Sequence, residues 1–204
     1  MALVRNFLKF FSAIAYIGII GLYSTAQAQT TGALTSPAYA VYNTFLSMTN
    51  ILELAAAGEK TIDLNLRVYR SDGVLLSRLN FSLAPGSQRD VILNDVPGVR
   101  ADSYGVVEIE FSPPEAELVG RSSFYKQNAD GNFSFAFSRE LVEPHDETSY
   151  VVSNSVDPQG RRFIVPNWLQ VINVANATET FDVTLYDQAG NIISSRSMTL
   201  LPFQ

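Results

Sequence analysis

The chain is predicted to be all-β, with antiparallel strands packed as a sandwich, from three observations: alternating apolar and polar residues, glycine turns between the alternating runs, and a segment that occurs twice. From Thr61 to Arg70, Ile62, Leu64, Leu66 and Val68 alternate with Asp63, Asn65, Arg67 and Tyr69, the period of a strand that buries one face. Ser71-Asp72-Gly73 supplies turn chemistry, because glycine tolerates positive φ, and Leu75 to Leu83 returns as the hairpin partner. The stretch Leu64 to Pro85 recurs as Phe181 to Pro202, with Tyr69, Gly73, Ser77, Leu83 and Pro85 repeated as Tyr186, Gly190, Ser194, Leu200 and Pro202.

The first 28 residues read as a signal peptide. Arg5 and Lys9 precede the uncharged run Phe10 to Tyr23, and Ala26-Gln27-Ala28 offers the small residues of a cleavage site. That run has 14 residues, short of the roughly 20 a membrane-spanning helix needs. No stable membrane insertion is expected after cleavage, and the destination is extracytoplasmic: periplasm, cell surface or medium. Removing residues 1–28 leaves 12 basic and 20 acidic residues, a formal charge of −8. Phosphate binding needs a basic surface, so nucleic acid is excluded as a main partner. With no cysteine in the chain, no disulfide or lipidated cysteine is available.

A tail is expected over 29–40 and the first β-sandwich module over 41–145. Besides the hairpin at 61–83, strands are predicted at Arg89 to Leu93, Tyr104 to Phe111, Leu118 to Asn128 and Asn132 to Leu141, the last two flanking the turn Ala129-Asp130-Gly131. Ile51 to Ala57 is the one helical candidate, on its leucine and alanine content. Seven or so short strands at this spacing point to an immunoglobulin-like sandwich, with a barrel as competitor.

Residues 146–204 read as a linker and an incomplete second module. Phe45 to Asn50 is matched by Trp168 to Asn173, which places a six-residue insertion in the first copy and sets Trp168 in the place of Phe45. Everything corresponding to Arg89 through Tyr125 is missing from the second copy. Either the chain is part of a longer array, or its open edge is completed by a strand from a protein partner or a neighbouring copy.

The units at 61–93 and 181–202 resemble bacterial immunoglobulin-like repeats of the CARDB type: an alternating strand, an acidic-glycine turn, a returning strand and a proline bend. The resemblance implies an extracytoplasmic stalk or adhesion role and no catalytic residue.

Catalytic chemistry is scarce. His145 is the only histidine and clusters with Glu143, Asp146 and Glu147 beside Pro144, which reads as a solvated linker. No metal, cofactor or catalytic group is expected. Glu108 and Glu110 share a strand face and read as a solvent-facing strip, with Val107 and Ile109 buried behind them. Phe133, Phe135 and Phe137 also share a face, which lines the core or forms a platform for sugar rings. Tyr69 and Tyr186, opposite the aliphatic stripe, are the candidate surface contacts, and their recurrence fits module-to-module packing equally well. The expected function is a secreted, non-catalytic structural or interaction protein, with a carbohydrate-binding module as the alternative.

Overall fold

In the computed structural model of the protein, residues 34–128, 130–144, 171–187 and 189–204 are described. The expected signal peptide, His145 and Trp168 fall outside them. Ten strands are present among these residues: β1 (Ala38–Asn43), β2 (Thr49–Ala56), β3 (Ile62–Arg70), β4 (Leu75–Leu83), β5 (Gln88–Ile92), β6 (Tyr104–Ser112), β7 (Leu118–Gln127), β8 (Phe133–Glu140), β9 (Glu179–Tyr186) and β10 (Ile192–Leu200). They form two four-stranded antiparallel sheets, β1-β6-β3-β4 and β5-β2-β7-β8, and a separate β9-β10 hairpin. The fold is all-β, as the alternation predicts.

One core joins the two four-stranded sheets. Leu64, Leu66 and Val68 of β3 and Val107 and Ile109 of β6 meet Leu52 and Leu54 of β2 and Leu118 of β7, all buried. Alternation aims these side chains one way, so each strand gives its apolar face to the core. On one flank, the Arg89 guanidinium of β5 lies 4.2 Å from the Phe81 ring centre of β4, closing the gap between two edge strands.

Two expectations are corrected. The helical candidate Ile51 to Ala57 is strand through Ala56 rather than helix: β2 is bonded by β5 on one side and β7 on the other, with Leu52, Leu54 and Ala56 buried. Pairing on both edges and burial override the helix preference of leucine and alanine. The tail assigned to 29–40 contains the start of β1, where Ala38 and Ala40 are buried in the core and Ala38 to Asn43 pairs with β6. Small alanines between tyrosines hid its apolar stripe.

Three hairpins turn by the same device. Gly73 N–H donates to Arg70 O at 2.8 Å and Arg70 N–H to Val74 O at 2.9 Å, with Gly73 at φ +81°. The same pair of bonds closes Asn128–Asn132 around Gly131 at φ +81° and Asp187–Asn191 around Gly190 at φ +84°. This is a tight turn finished by a left-handed glycine, and a bulge follows in each ladder.

Hairpin β9-β10 repeats β3-β4 residue for residue at a displacement of 117, the separation of Tyr69 from Tyr186. Ile62↔Leu83 becomes Glu179↔Leu200, and Tyr69↔Leu75 becomes Tyr186↔Ile192. The displacement persists beyond the strands. Ala56 N–H donates to Ser87 O and Gly86 N–H to Ala56 O, while Asn173 N–H donates to Gln204 O and Phe203 N–H to Asn173 O. Asn173 therefore occupies the hydrogen-bonding place of Ala56. The expected match of Asn50 with Asn173, and the six-residue insertion drawn from it, are overturned for the described residues. Similar residue types aligned the two hexamers, whereas the backbone bonds continue one register without a gap.

Candidate functional site

The outer face of β1, β6 and β3 carries a polar cluster beneath an apolar cap. Tyr69 Oη donates to Glu108 Oε2 at 3.1 Å, Arg67 Nη1 donates to the same oxygen at 3.0 Å, and Arg67 Nη2 reaches Glu110 Oε2 at 2.6 Å. Asn65 Nδ2 adds a bond to Glu110 Oε2 at 3.0 Å. Glu108 is only 5% exposed, which corrects the expected solvent-facing strip. It stands on a strand flanked by β1 and β3, within a wall of Tyr39, Tyr69 and Arg67. Val107 and Ile109 are buried behind it as expected.

Burial, reinforced by the Glu108 charge, pushes the Tyr39 hydroxyl up to about 12. The same two causes raise Tyr69. Burial pulls Arg67 down, but its bond and charge contact with Glu108 outweigh that and its pKa rises. The cluster is thus a neutral tyrosine pair around the Arg67–Glu108 bridge.

Above it, Tyr39, Tyr69 and Val106 pack against Ile172, Val174 and Phe203. The Tyr69 and Phe203 rings stack with centres 4.3 Å apart and planes 6° from parallel. Asn173 holds this cap together: its side-chain nitrogen bonds the carbonyls of Ala177, Leu200 and Leu201, and its oxygen receives Ala175 N–H. A Cβ on Gly73 would run into the Pro202 carbonyl, so glycine at 73 lets the cap sit down.

Tyr69 is therefore 8% exposed and a packing residue, correcting its expected place at the surface, while Tyr186 at the equivalent register is 56% exposed. The structure does not bring the two together. Sequence reasoning missed Ile172, Val174 and Phe203. A signal existed: Phe203 follows the recurring proline where the first copy has Gly86, and it holds φ +57° against +69° for that glycine. A bulky residue in the left-handed region is uncommon and costly.

The second candidate surface lies on β8. Phe133, Phe135 and Phe137 are 62%, 42% and 43% exposed, which corrects the reading of this row as core. Phe137 does face the core side, stacked on buried Phe124 at 4.6 Å. The other sheet stops short: Ser122 Oγ of β7 donates to Val41 O of β1 at 2.8 Å, placing the β1 edge over β7 and leaving β8 to overhang. That β1 edge is closed, since Tyr39 exchanges two backbone bonds with Val142 and the Asn50 side chain bonds both N–H and O of Asn43. A shallow depression of about 560 Å³ on the first sheet adjoins the polar cluster, lined in part by Asn65, Glu110, Phe81 and Phe111.

Among the described residues no group of three or more histidine, aspartate and glutamate side chains could hold a metal, and no helix is long and apolar enough to cross a membrane. Of the acidic linker, Glu143 accepts a bond from Thr35 N–H, and His145, Asp146 and Glu147 lie outside the described residues.

No family model matches the chain, and no curated protein matches it. A solved structure described as "Crystal Structure of Thermotoga maritima 1070" is similar over 52% of this chain and 91% of that one, at 11% identity and a TM-score of 0.41.

Proposed function

We propose that the chain is a secreted, non-catalytic structural or interaction protein whose immunoglobulin-like modules act as a surface scaffold or adhesion element. The observation that carries this reading is the displacement of 117 shared by ladder register, turn bonds and bulge in the two hairpins. Local geometry repeated at this detail is what duplicated modules produce, and module arrays present extended surfaces. The cap on Tyr69 supports it further, because successive modules in such an array touch only their neighbours. Fractionation of the natural producer with intact-mass measurement tests the reading. Material beginning at Gln29 in the periplasm, at the surface or in the medium is the expected result, and a cytoplasmic protein retaining residues 1–28 overturns it.

The exposed β8 row favours a second reading, a carbohydrate-binding module with Phe133, Phe135 and Phe137 as the platform. Phe135 and Phe137 stand 6.3 Å apart at 17°, and aligned rings on one face suit stacking against sugar faces. Retention on a polysaccharide that is lost in Phe135→Ala supports it; indifference to a glycan panel rules it out.

A further inference from the structure

We propose that Phe203 locks the second copy onto the first: its ring, held out by a turn that its backbone fits poorly, fixes the orientation of the β9-β10 hairpin on the sandwich. This rests on the modular reading above, and it makes the two copies one stiff unit rather than modules on a loose joint.

The turn itself poses the question. Gln204 N–H donates to Leu201 O at 3.1 Å and closes Leu201 to Gln204, as Ser87 N–H donates to Ala84 O at 3.0 Å and closes Ala84 to Ser87. Both turns have proline second and a left-handed residue third, Gly86 at φ +69° in one and Phe203 at φ +57° in the other. A turn of this pattern takes glycine or asparagine in the third place, because a Cβ there crowds the backbone. The first copy obeys this rule and the second does not. Nothing within the turn explains the exchange, since the same backbone bonds anchor one turn to Ala56 and the other to Asn173. Strain kept at a single residue directs attention to what its side chain does.

The surroundings of the ring supply the reason. A Cβ on Gly86 would meet nothing within 4 Å, whereas the Phe203 ring lies on the Tyr69 ring, nearly parallel to it. Tyr69 is held in turn by its bond to Glu108 and by Tyr39 and Val106 beside it, so Phe203 lands on a fixed surface. One residue earlier, the Pro202 carbonyl stands so close to Gly73 that a Cβ there would come within 2.4 Å of it. Ile172 and Val174 join the same cluster. Contacts at the end of β3, at the turn that follows it and at residues 172–174 define an orientation, where one contact alone would leave a pivot. Small interfaces between modules ordinarily permit relative motion. This one is small, so loss of its stacked ring is expected to free it.

The chain has no cysteine, so a pair of spin labels reads the orientation directly. Glu59→Cys, between β2 and β3, and Ser197→Cys, on β10, replace exposed residues, and the distribution of distances between the two labels is measured by electron paramagnetic resonance in the full chain. The expected result is one narrow distribution, which becomes about twofold wider in Phe203→Gly. Glycine is what the first copy carries at this place, so the widening reports the lost ring and not a damaged turn. Phe203→Tyr keeps the ring and should keep the narrow distribution. An unchanged width in Phe203→Gly overturns the proposal. So does a broad distribution before any change at Phe203, which would mean that the two copies move freely in spite of the stack. Where Phe203→Gly fails to fold, Phe203→Leu set against Phe203→Tyr makes the same comparison. None of these outcomes changes the location and mass that test the scaffold reading.

Discussion

Asn173 and Arg67 each satisfy groups that would be costly to leave unpaired. Asn173 is 1% exposed and ties the cap through four hydrogen bonds, so Asn173→Ala is expected to cost the cap about 1–3 kcal/mol. Faster amide exchange in residues 171–177 and 200–204 would register the loss, while β2 and β7 keep their protection. Arg67→Met removes the partner of a buried carboxylate and is expected to destabilise the protein by about 3–5 kcal/mol, read in denaturant unfolding. Tyr39 and Tyr42 are both held up to about 12, each chiefly by burial. Their raised values favour the neutral hydroxyl in the folded state, so the stability they confer is whole below their ordinary value near 10 and is lost as pH rises from there through about 12. Unfolding midpoints between pH 9 and 12 should fall, and Tyr39→Phe should flatten the fall. At this scale the sequence marks Tyr69 as recurrent and outward but not as covered, because outward direction on a strand does not reveal what lies on top of it.

Hairpins are the elements most legible in the chain, because each is set by local chemistry. Alternation gave the strand faces and glycine gave the turns, and β3, β4 and all four of the later strands β5 to β8 begin within one residue of their expected starts. Gly73 and Gly190 have the same backbone conformation but different surroundings. Gly190→Ala meets open space and should cost about 1 kcal/mol for its positive φ alone. Gly73→Ala carries that strain and also strikes the Pro202 carbonyl, so it should cost more and speed amide exchange in residues 201–204. Equal costs for the two substitutions would show that the cap does not press on Gly73. Strand β2 marks the limit of local reading: its leucines and alanines suit either helix or strand, and only its two neighbours decide.

Across the whole molecule the core is offset from the middle of the second sheet. Phe124 lies beneath the first sheet at 2% exposure, while Phe133, three rungs away on the neighbouring strand, is 62% exposed. Phe124→Ala is therefore expected to cost about 3–5 kcal/mol, and Phe133→Ala to stay within about 0.5 kcal/mol, in the same unfolding assay. A large loss at Phe133 would mean that the overhang of β8 is covered in solution. The opposite face of the molecule is also layered, with the cap lying on the first sheet, so Glu108 of the strip expected to be wet is buried while Glu110 stays part-exposed.

The sequence by itself determined the all-β class, the antiparallel hairpins, their turns and the inward stripes of β3 and β6. These follow from period-two alternation and from glycine's freedom at positive φ, both of which act over a few residues. Only the tertiary structure decided that β2 is a strand, that the continuous register pairs Asn173 with Ala56, that Glu108 and Tyr69 are buried and that the β8 aromatics are not. Each of those depends on what stands opposite a side chain from a distant part of the chain, and alternation states which way a residue points without stating what it meets there.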